Sequence, residues 1–461
     1  MAGGLASAPL VSVLVPICNV ERFLQHCLDS IERQTLRSLQ VICIDDGSTD
    51  RSPAILAEYA ARDPRFEVIT KPNSGYGSSM NLGLSRARGV YVGIVEPDDF
   101  AEPTMFERLV KLAERTGADV VKSNYYEHVT GREPSADVLV DNLDGCELDR
   151  AFCPRGDQRV LRCPASIWSG LYKREFLVAA DVRFLETPGA SFQDTAFNLK
   201  ALMAAGSIAL TKEGFIHYRI DNSASSVRSP SKVFYICDEY AEVWRYLRER
   251  PELFEAFKDA VPQVQYEGYC WNMGRLSRRF RSEFFERFAA EFRELDGHGL
   301  VRRDGFDEGN WEKVRLLLDD PEEYFERSYG IRQPRRCVVV RLNLKLELSS
   351  KKGLLGDFLG TCRPDDEVLV IAEGDWDLAA WVDDLRTSDR RLYVAEGCGA
   401  MNSEYGFDYV NLRGDSVRFF SLGDEVPASA IVTGPSERPA NSVCHKVFTR
   451  AFAWFRDAKT R

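Results

Sequence analysis

Between Val11 and about Tyr125 short apolar runs alternate with helical spacings, and no other pattern in the chain restricts its fold as strongly. Val11-Ser12-Val13-Leu14-Val15 reads as a strand stopped by Pro16, and Asn19 can cap a helix whose Leu24, Cys27, Leu28 and Ile31 share one face. A strand over residues 40–44 comes next, then a helix entered through Asp50 with Pro53 in its first turn. Phe66-Glu67-Val68-Ile69 is the third strand. The loop Gly75-Tyr76-Gly77 leads into a helix ending at Gly89, and residues 91–95 form the fourth strand. Strands joined by helices imply an α/β fold with a parallel, right-handed, doubly wound sheet.

Two of these strands end in paired carboxylates, Asp45-Asp46 and Asp98-Asp99. Side chains beyond the carboxyl ends of parallel strands point into the crevice where such sheets bind ligands. Each pair alone can be a turn. Like charges gathered there repel unless a cation holds them, and Mg²⁺ or Mn²⁺ binds one or two carboxylates together with substrate phosphates. A nucleotide-dependent enzyme is therefore the first expectation.

The chain has 461 residues, 44% of them hydrophobic, enough for two or three domains each with a core. Its net charge of -11 argues against nucleic acid as a partner, because phosphate binding needs concentrated Lys and Arg. Twelve cysteines without a Cys-x-x-Cys pair, and five histidines, suggest neither a zinc site nor a disulfide framework. The first nine residues lack a basic region and an apolar signal core, and no stretch approaches the ~20 apolar residues of a membrane span. A cytoplasmic chain, working at the inner face of the membrane, is expected.

The expected domain order is an α/β domain over 10–228, a helical extension over 229–333, a small α/β domain over 337–440 and a basic C-terminal helix over 441–461. Strands of the small domain are read at residues 338–342, 368–371, 392–394, 417–420 and 430–432. In the last segment Val443, Val447, Phe448, Ala451, Phe452 and Phe455 recur at helical spacing among Lys446, Arg450, Arg456, Lys459 and Arg461. That pattern suits a peripheral membrane contact or a terminal helix docked on its own domain.

The ordered set Val15-Pro16-Ile17-Cys18-Asn19, Ile44-Asp45-Asp46-Gly47-Ser48-Thr49-Asp50, Asn73-Ser74-Gly75-Tyr76-Gly77 and Val95-Glu96-Pro97-Asp98-Asp99 resembles family 2 glycosyltransferases of the GT-A fold. Residues 167–175 and Phe192-Gln193-Asp194 match later parts of the same pattern, and the helical region is similar to that of bacterial capsular and surface-polysaccharide members. The resemblance implies a metal-dependent, inverting transfer of a sugar from a nucleotide-sugar, with UDP as the expected carrier, to a surface-polysaccharide or lipid-linked saccharide.

By the same resemblance Pro16 and Asn19 shape the loop beside the nucleotide, and Asp46 accepts from the base. A carboxylate there favours a ring N–H donor, as in uracil or guanine, over adenine. Asn73, Gly75, Tyr76 and Gly77 would approach the ribose and diphosphate, where glycine leaves no Cβ in the way. Glu96, Pro97 and Asp98 stand where the family usually has Asp-x-Asp, so Asp98 is the expected metal ligand with Asp99 beside it, and Glu96 lies near the ribose or a metal-bound water. Asp194 is the expected general base, Gln193 replacing a carboxylate usual before it; Asp194 can also be a helix cap. Arg219 offers a planar fork to phosphate. His217 is read as a metal or phosphate ligand or else a structural histidine, and Trp168 and Tyr172 as acceptor-stacking or core aromatics. Competing readings are a catalytically altered relative that assembles partners at the membrane, and a nucleotidyltransferase, against which no Gly-rich basic loop follows the first strand.

Overall fold

The computed structural model describes residues 8–131, 133–143, 145–222, 232–276, 278–329, 336–342, 355, 366–371, 392–395 and 417–422. The chain divides into two compact units, one of residues 1–272 and 291–311, the other of 273–290 and 312–461.

In the first unit β1 (Val11–Ile17), β2 (Leu39–Asp46), β3 (Phe66–Lys71) and β4 (Tyr91–Ile94) alternate with α1 (Glu21–Glu32), α2 (Ser52–Arg62) and α3 (Tyr76–Arg86). β1 and β2 are buried at every position, as continuous apolar runs require when helices cover both faces of a sheet. α1 turns Phe23, Leu24, Cys27, Leu28 and Ile31 inward, and each such large side chain contributes about 1.5–3 kcal/mol by leaving water. The helix is not capped by Asn19, which lies at a φ of 51°. Asp50 takes that place: its Oδ2 accepts from Glu21 N at 2.9 Å and its Oδ1 from Ser52 N at 2.9 Å, so one carboxylate serves the starts of α1 and α2.

The remaining strands are β5 (Phe100–Ala101), β6 (Val120–His128), β7 (Val138–Val140), β8 (Ala151–Phe152), β9 (Gly170–Lys173) and β10 (Ile208–Arg219), with α4 (Met105–Thr116), α5 (Arg174–Ala179) and α6 (Gln193–Ala204) between them. α4 buries Phe106, Leu109 and Leu112 and ends at Gly117, whose left-handed φ of 70° suits glycine. The sheet order is β3-β2-β1-β4-β9-β6-β10-β5. β1 to β4 pair in parallel as expected, and antiparallel strands extend the sheet beyond them. β9 runs antiparallel to both β4 and β6, while β5 and β8 run antiparallel to β10 and β7 antiparallel to β6. β9 reaches its place because Gly170 has no side chain: a Cβ there would lie 2.7 Å from the Val121 carbonyl oxygen.

Six helices follow: α7 (Tyr235–Arg248), α8 (Pro251–Phe257), α9 (Val261–Arg275), α10 (Arg278–Gly297), α11 (Glu308–Asp319) and α12 (Pro321–Ser328). In the second unit Phe285 of α10 stacks on Tyr324 of α12 with ring centres 5.9 Å apart. Four parallel strands, β11 (Arg336–Leu342), β12 (Asp366–Ile371), β13 (Leu392–Ala395) and β14 (Val417–Leu422), pair in the order β13-β12-β11-β14. The strand read at 430–432 and the helix read at 441–461 lie outside the described residues. Among the described residues no helix is long and apolar enough to cross a membrane.

Candidate active site

β1 lies between β2 and β4, so the carboxylates that end β2 and those of the turn after β4 come from strands two spacings apart, roughly 10 Å. Asp45 and Asp46 are the last residues of β2 itself, in register with Thr70 and Lys71. Asp45 Oδ1 accepts from Ser48 N at 3.0 Å and holds the turn that follows. Asn19 closes the same corner by donating its backbone N–H to Ser48 Oγ at 3.1 Å and accepting from Thr49 N at 2.8 Å. Pro16 is buried in β1 beside Ile44.

Asp46 anchors the loop of residues 73–77. Its Oδ1 accepts from Ser74 N at 2.8 Å and pairs with Lys71 Nζ, and its Oδ2 accepts from Gly75 N at 2.9 Å. Lys71 also donates to Ser74 Oγ at 2.5 Å. Gly75 needs its φ of 94°, and Gly77 packs so closely that a Cβ would stand 2.0 Å from the Leu185 carbonyl oxygen. Asn73 donates its side-chain amide to Cys18 Sγ at 3.4 Å. Tyr76 donates its hydroxyl to Glu96 Oε1 at 2.6 Å.

Glu96 is therefore tied to the glycine loop. Burial pushes its carboxyl up to about 8, against the Tyr76 hydrogen bond, and the nearby Asp98 and Asp194 push it further. Asp99 is 1% exposed; its Oδ1 accepts from Arg219 N at 2.7 Å and its Oδ2 has no hydrogen-bond partner among the described residues. Burial first, then Asp98, hold the Asp99 carboxyl well above the ordinary range. Pro97 stiffens the turn between Glu96 and Asp98, whose Oδ2 accepts from the Asn222 side-chain amide at 2.9 Å.

Arg219 and His217 are both held by protein groups. The Arg219 guanidinium donates from Nε to the Asp98 carbonyl at 2.8 Å and from Nη1 to Thr130 Oγ1 at 2.8 Å, and it covers the Phe23 ring at 4.6 Å. It is 5% exposed, a brace for the acidic turn rather than a free phosphate fork. His217 meets Asp137 Oδ2 through Nδ1 at 2.6 Å and Glu102 Oε1 through Nε2 at 2.9 Å, and it is stacked between Phe100 and Tyr126. Both ring nitrogens lie within hydrogen-bond distance of carboxylates, which favours the structural reading of this histidine.

Asp194 sits in the first turn of α6 after Phe192, whose φ of 63° is left-handed. Burial pushes the Asp194 carboxyl up to about 6, against hydrogen bonds from Thr195 and the attraction of Lys122. Gln193 braces the preceding loop, its Oε1 accepting from Ser191 N at 2.5 Å and its Nε2 donating to Thr187 Oγ1 at 2.7 Å. That pair of roles needs an amide, since an ionised Glu cannot donate. Trp168 stacks on Tyr218 with centres 5.2 Å apart and planes 4° apart, and Tyr125 meets Trp168 edge-on. Tyr218 faces the acidic cluster: burial first, then Asp99, Asp98 and Asp194, raise its phenol. Tyr172 does not line an acceptor pocket. It is fully buried and donates to the Ile167 carbonyl at 3.0 Å, a core residue.

Three charged residues of the site were not foreseen. Lys71 pairs with Asp46, and Lys122 of β6 is 2% exposed, donates to the Ser166 carbonyl and has its ammonium lowered by burial to about 7. Glu239 of α7 accepts from Ala196 N at 3.1 Å. No sequence signal marks them: Lys122 stands between Val120-Val121 and the polar Ser123-Asn124.

Residues 12–158 match the model of glycosyl transferase family 2. The uncharacterized glycosyltransferase EpsJ of Bacillus subtilis is 35% identical over 227 residues, 49% of this chain and 64% of that protein. The putative glycosyltransferase EpsH of the same organism is 31% identical over 229 residues, 49% of this chain and 65% of that one. A chondroitin synthase of Pasteurella multocida is 36% identical over 118 residues, 25% of this chain and 12% of that enzyme. The matches thus span less than two thirds of these relatives. Among solved structures, S. aureus TarS 1-349 in complex with UDP-GlcNAc superposes with a TM-score of 0.50 at 16% identity, covering 69% of this chain and 90% of that chain. The likeness establishes the GT-A fold.

Proposed function

Because residues 12–158 form a glycosyl transferase family 2 domain, we propose that the chain transfers a sugar, with inversion, from a nucleotide-sugar to a saccharide acceptor, and that the reaction depends on a divalent metal. One observation carries the reading. Tyr76 of the glycine loop donates its hydroxyl to Glu96 Oε1 at 2.6 Å and its backbone N–H to the Gly189 carbonyl at 2.8 Å, and Gln193 beside Asp194 donates to that same carbonyl at 3.4 Å, so the acidic turn, the glycine loop and the segment bearing the candidate base are bonded into one site.

The acidic turn suits a hard cation. Asp99 Oδ2 is buried with no hydrogen-bond partner among the described residues, and burial first, then the neighbouring Asp98, raises its carboxyl, which a cation held there would offset. Asp98 and Asp99 would hold Mn²⁺ or Mg²⁺; when bound, the ion offsets charge growing on the departing nucleoside diphosphate. Arg219 and Asn222 support that turn through the Asp98 carbonyl and carboxylate.

On the donor side, the loop of residues 73–77 would lie along ribose and diphosphate, with Asp46 setting its shape. The Asp46 carboxylate receives three donors here and has about four acceptor positions, leaving room for a base N–H, as uracil or guanine supplies and adenine does not. On the acceptor side, the Trp168–Tyr218 stack would receive a sugar face. Asp194 takes the acceptor hydroxyl proton as the sugar carbon is attacked. A relative named chondroitin synthase supports a polysaccharide acceptor. We further propose a site of action at the inner membrane face, where a lipid-linked saccharide would be met.

The test is nucleoside diphosphate release from a panel of UDP- and GDP-sugars with Mn²⁺, with Mg²⁺ and with chelator. Release from a UDP-sugar that needs metal and is lost in Asp194→Asn is expected. Release from none of the donors, or full release by Asp194→Asn, overturns the reading.

A further inference from the structure

α6 and α7 both lie beyond residues 12–158, and α7 reaches the first turn of α6. Glu239 is 1% exposed; its Oε2 accepts from Ala196 N at 3.1 Å, and its Oε1 has no hydrogen-bond partner among the described residues. Farther along the same pair of helices, Lys200 donates to Glu242 Oε1 at 2.7 Å, and Arg245 pairs with Glu242 through Nε at 2.7 Å. Two rungs therefore join α6 to α7, and the first lies two residues beyond Asp194. We propose that Glu239 is the positioning residue for Asp194: by holding the Ala196 amide it fixes the turn that aims the base, which makes α7 part of the catalytic apparatus. The inference rests on Asp194 being the base.

The chemistry favours a neutral Glu239. Burial pushes its carboxyl up to about 9; the Ala196 amide opposes this and Asp194 adds to it. The charged groups facing it are Asp194 and Lys200 of α6 and Glu242 of its own helix. Asp194 in turn faces Lys122 of β6, with Glu96 and the phenols of Tyr76, Tyr172, Tyr218 and Tyr240 around it. An ionised Glu239 would set a second buried anion beside the base. The protonated acid accepts through one oxygen and adds no charge.

Three variants of the full chain test this: Glu239→Gln, which keeps an acceptor oxygen, Glu239→Leu, which removes it, and Asp194→Asn. Hydrolysis of the UDP-sugar that the wild type cleaves fastest gives kcat and KM, water standing in for the acceptor. Infrared difference spectra of wild type against Glu239→Gln at pH 7.5 read the protonated carboxyl directly. Glu239→Gln should stay within about threefold of wild-type kcat, while Glu239→Leu should lose about tenfold or more in kcat at unchanged KM, the cost of a loosened reacting geometry. Wild-type activity should decline as pH rises through about 9, and that decline should vanish in Glu239→Gln. A protonated-carboxyl band should disappear in the same variant. Wild-type kcat and pH profile in Glu239→Leu, or an infrared difference without that band, overturns the proposal. Undiminished hydrolysis by Asp194→Asn removes the base assignment and this proposal with it; failure of the Glu239 variants alone leaves that assignment standing.

Discussion

Asp194→Asn should stabilise the protein while disabling it. The Asp194 carboxyl is raised from the ordinary 3.8 to about 6, roughly two pH units, and at about 1.4 kcal/mol per unit the half-buried anion costs up to about 3 kcal/mol at neutral pH. The sign follows from the proton being held more tightly in the folded state than in the unfolded one. The side chain's contribution to stability is complete below about pH 4 and is lost as pH rises through about 6. Asparagine is neutral throughout and can still accept from Thr195. The variant should therefore match wild type in urea unfolding below about pH 4 and exceed it by up to about 3 kcal/mol at pH 8, read on the transition of the unit that contains the sheet. Donor hydrolysis should fall by about 10²–10⁴-fold while calorimetric affinity for UDP stays near wild type. A variant less stable than wild type at pH 8, or one with the same stability difference at both pH values, refutes the burial argument. Retained hydrolysis refutes the base assignment separately.

Lys122→Met removes a positive charge that lowers the Asp194 carboxyl, so the acid limb of the rate profile should move upward from about pH 6, by up to about one unit; a fixed or lowered limb in the pH–rate curve would contradict this. Asp98→Asn should weaken UDP binding in Mn²⁺ far more than UDP binding in chelator, as measured by calorimetry, and equal losses in both would remove the metal role. Gly77→Ala would drive a Cβ to 2.0 Å from the Leu185 carbonyl oxygen. It should cost about 1–3 kcal/mol in unfolding experiments and weaken UDP binding; wild-type stability and affinity would show that the loop has room to yield.

The strands bearing the acidic pairs are legible in the sequence because a strand buried on both faces is mostly apolar, its few polar residues, such as Ser12 and Gln40, bonded to each other, and such runs end in polar turns. The same runs reveal β11 to β14. Asp46, Asp98, Asp99 and Asp194 stand out because short ordered motifs carry them. The antiparallel β9 is not legible. It is four residues long, and its partners β4 and β6 lie far back along the chain. Only the folded sheet leaves a gap of one strand's width between them. The same limit applies to side chains whose work depends on remote partners: His217 is claimed by Asp137 and Glu102, Arg219 by Asp98 and Thr130, and Tyr172 by the core. Lys122 and Glu239 look like ordinary charged residues in a list, and their altered protonation comes from burial beside Asp194. Local pattern records which residues must leave water. Which buried charges then face one another is decided by packing, because electrostatic interaction depends on distance and dielectric, not on separation along the chain.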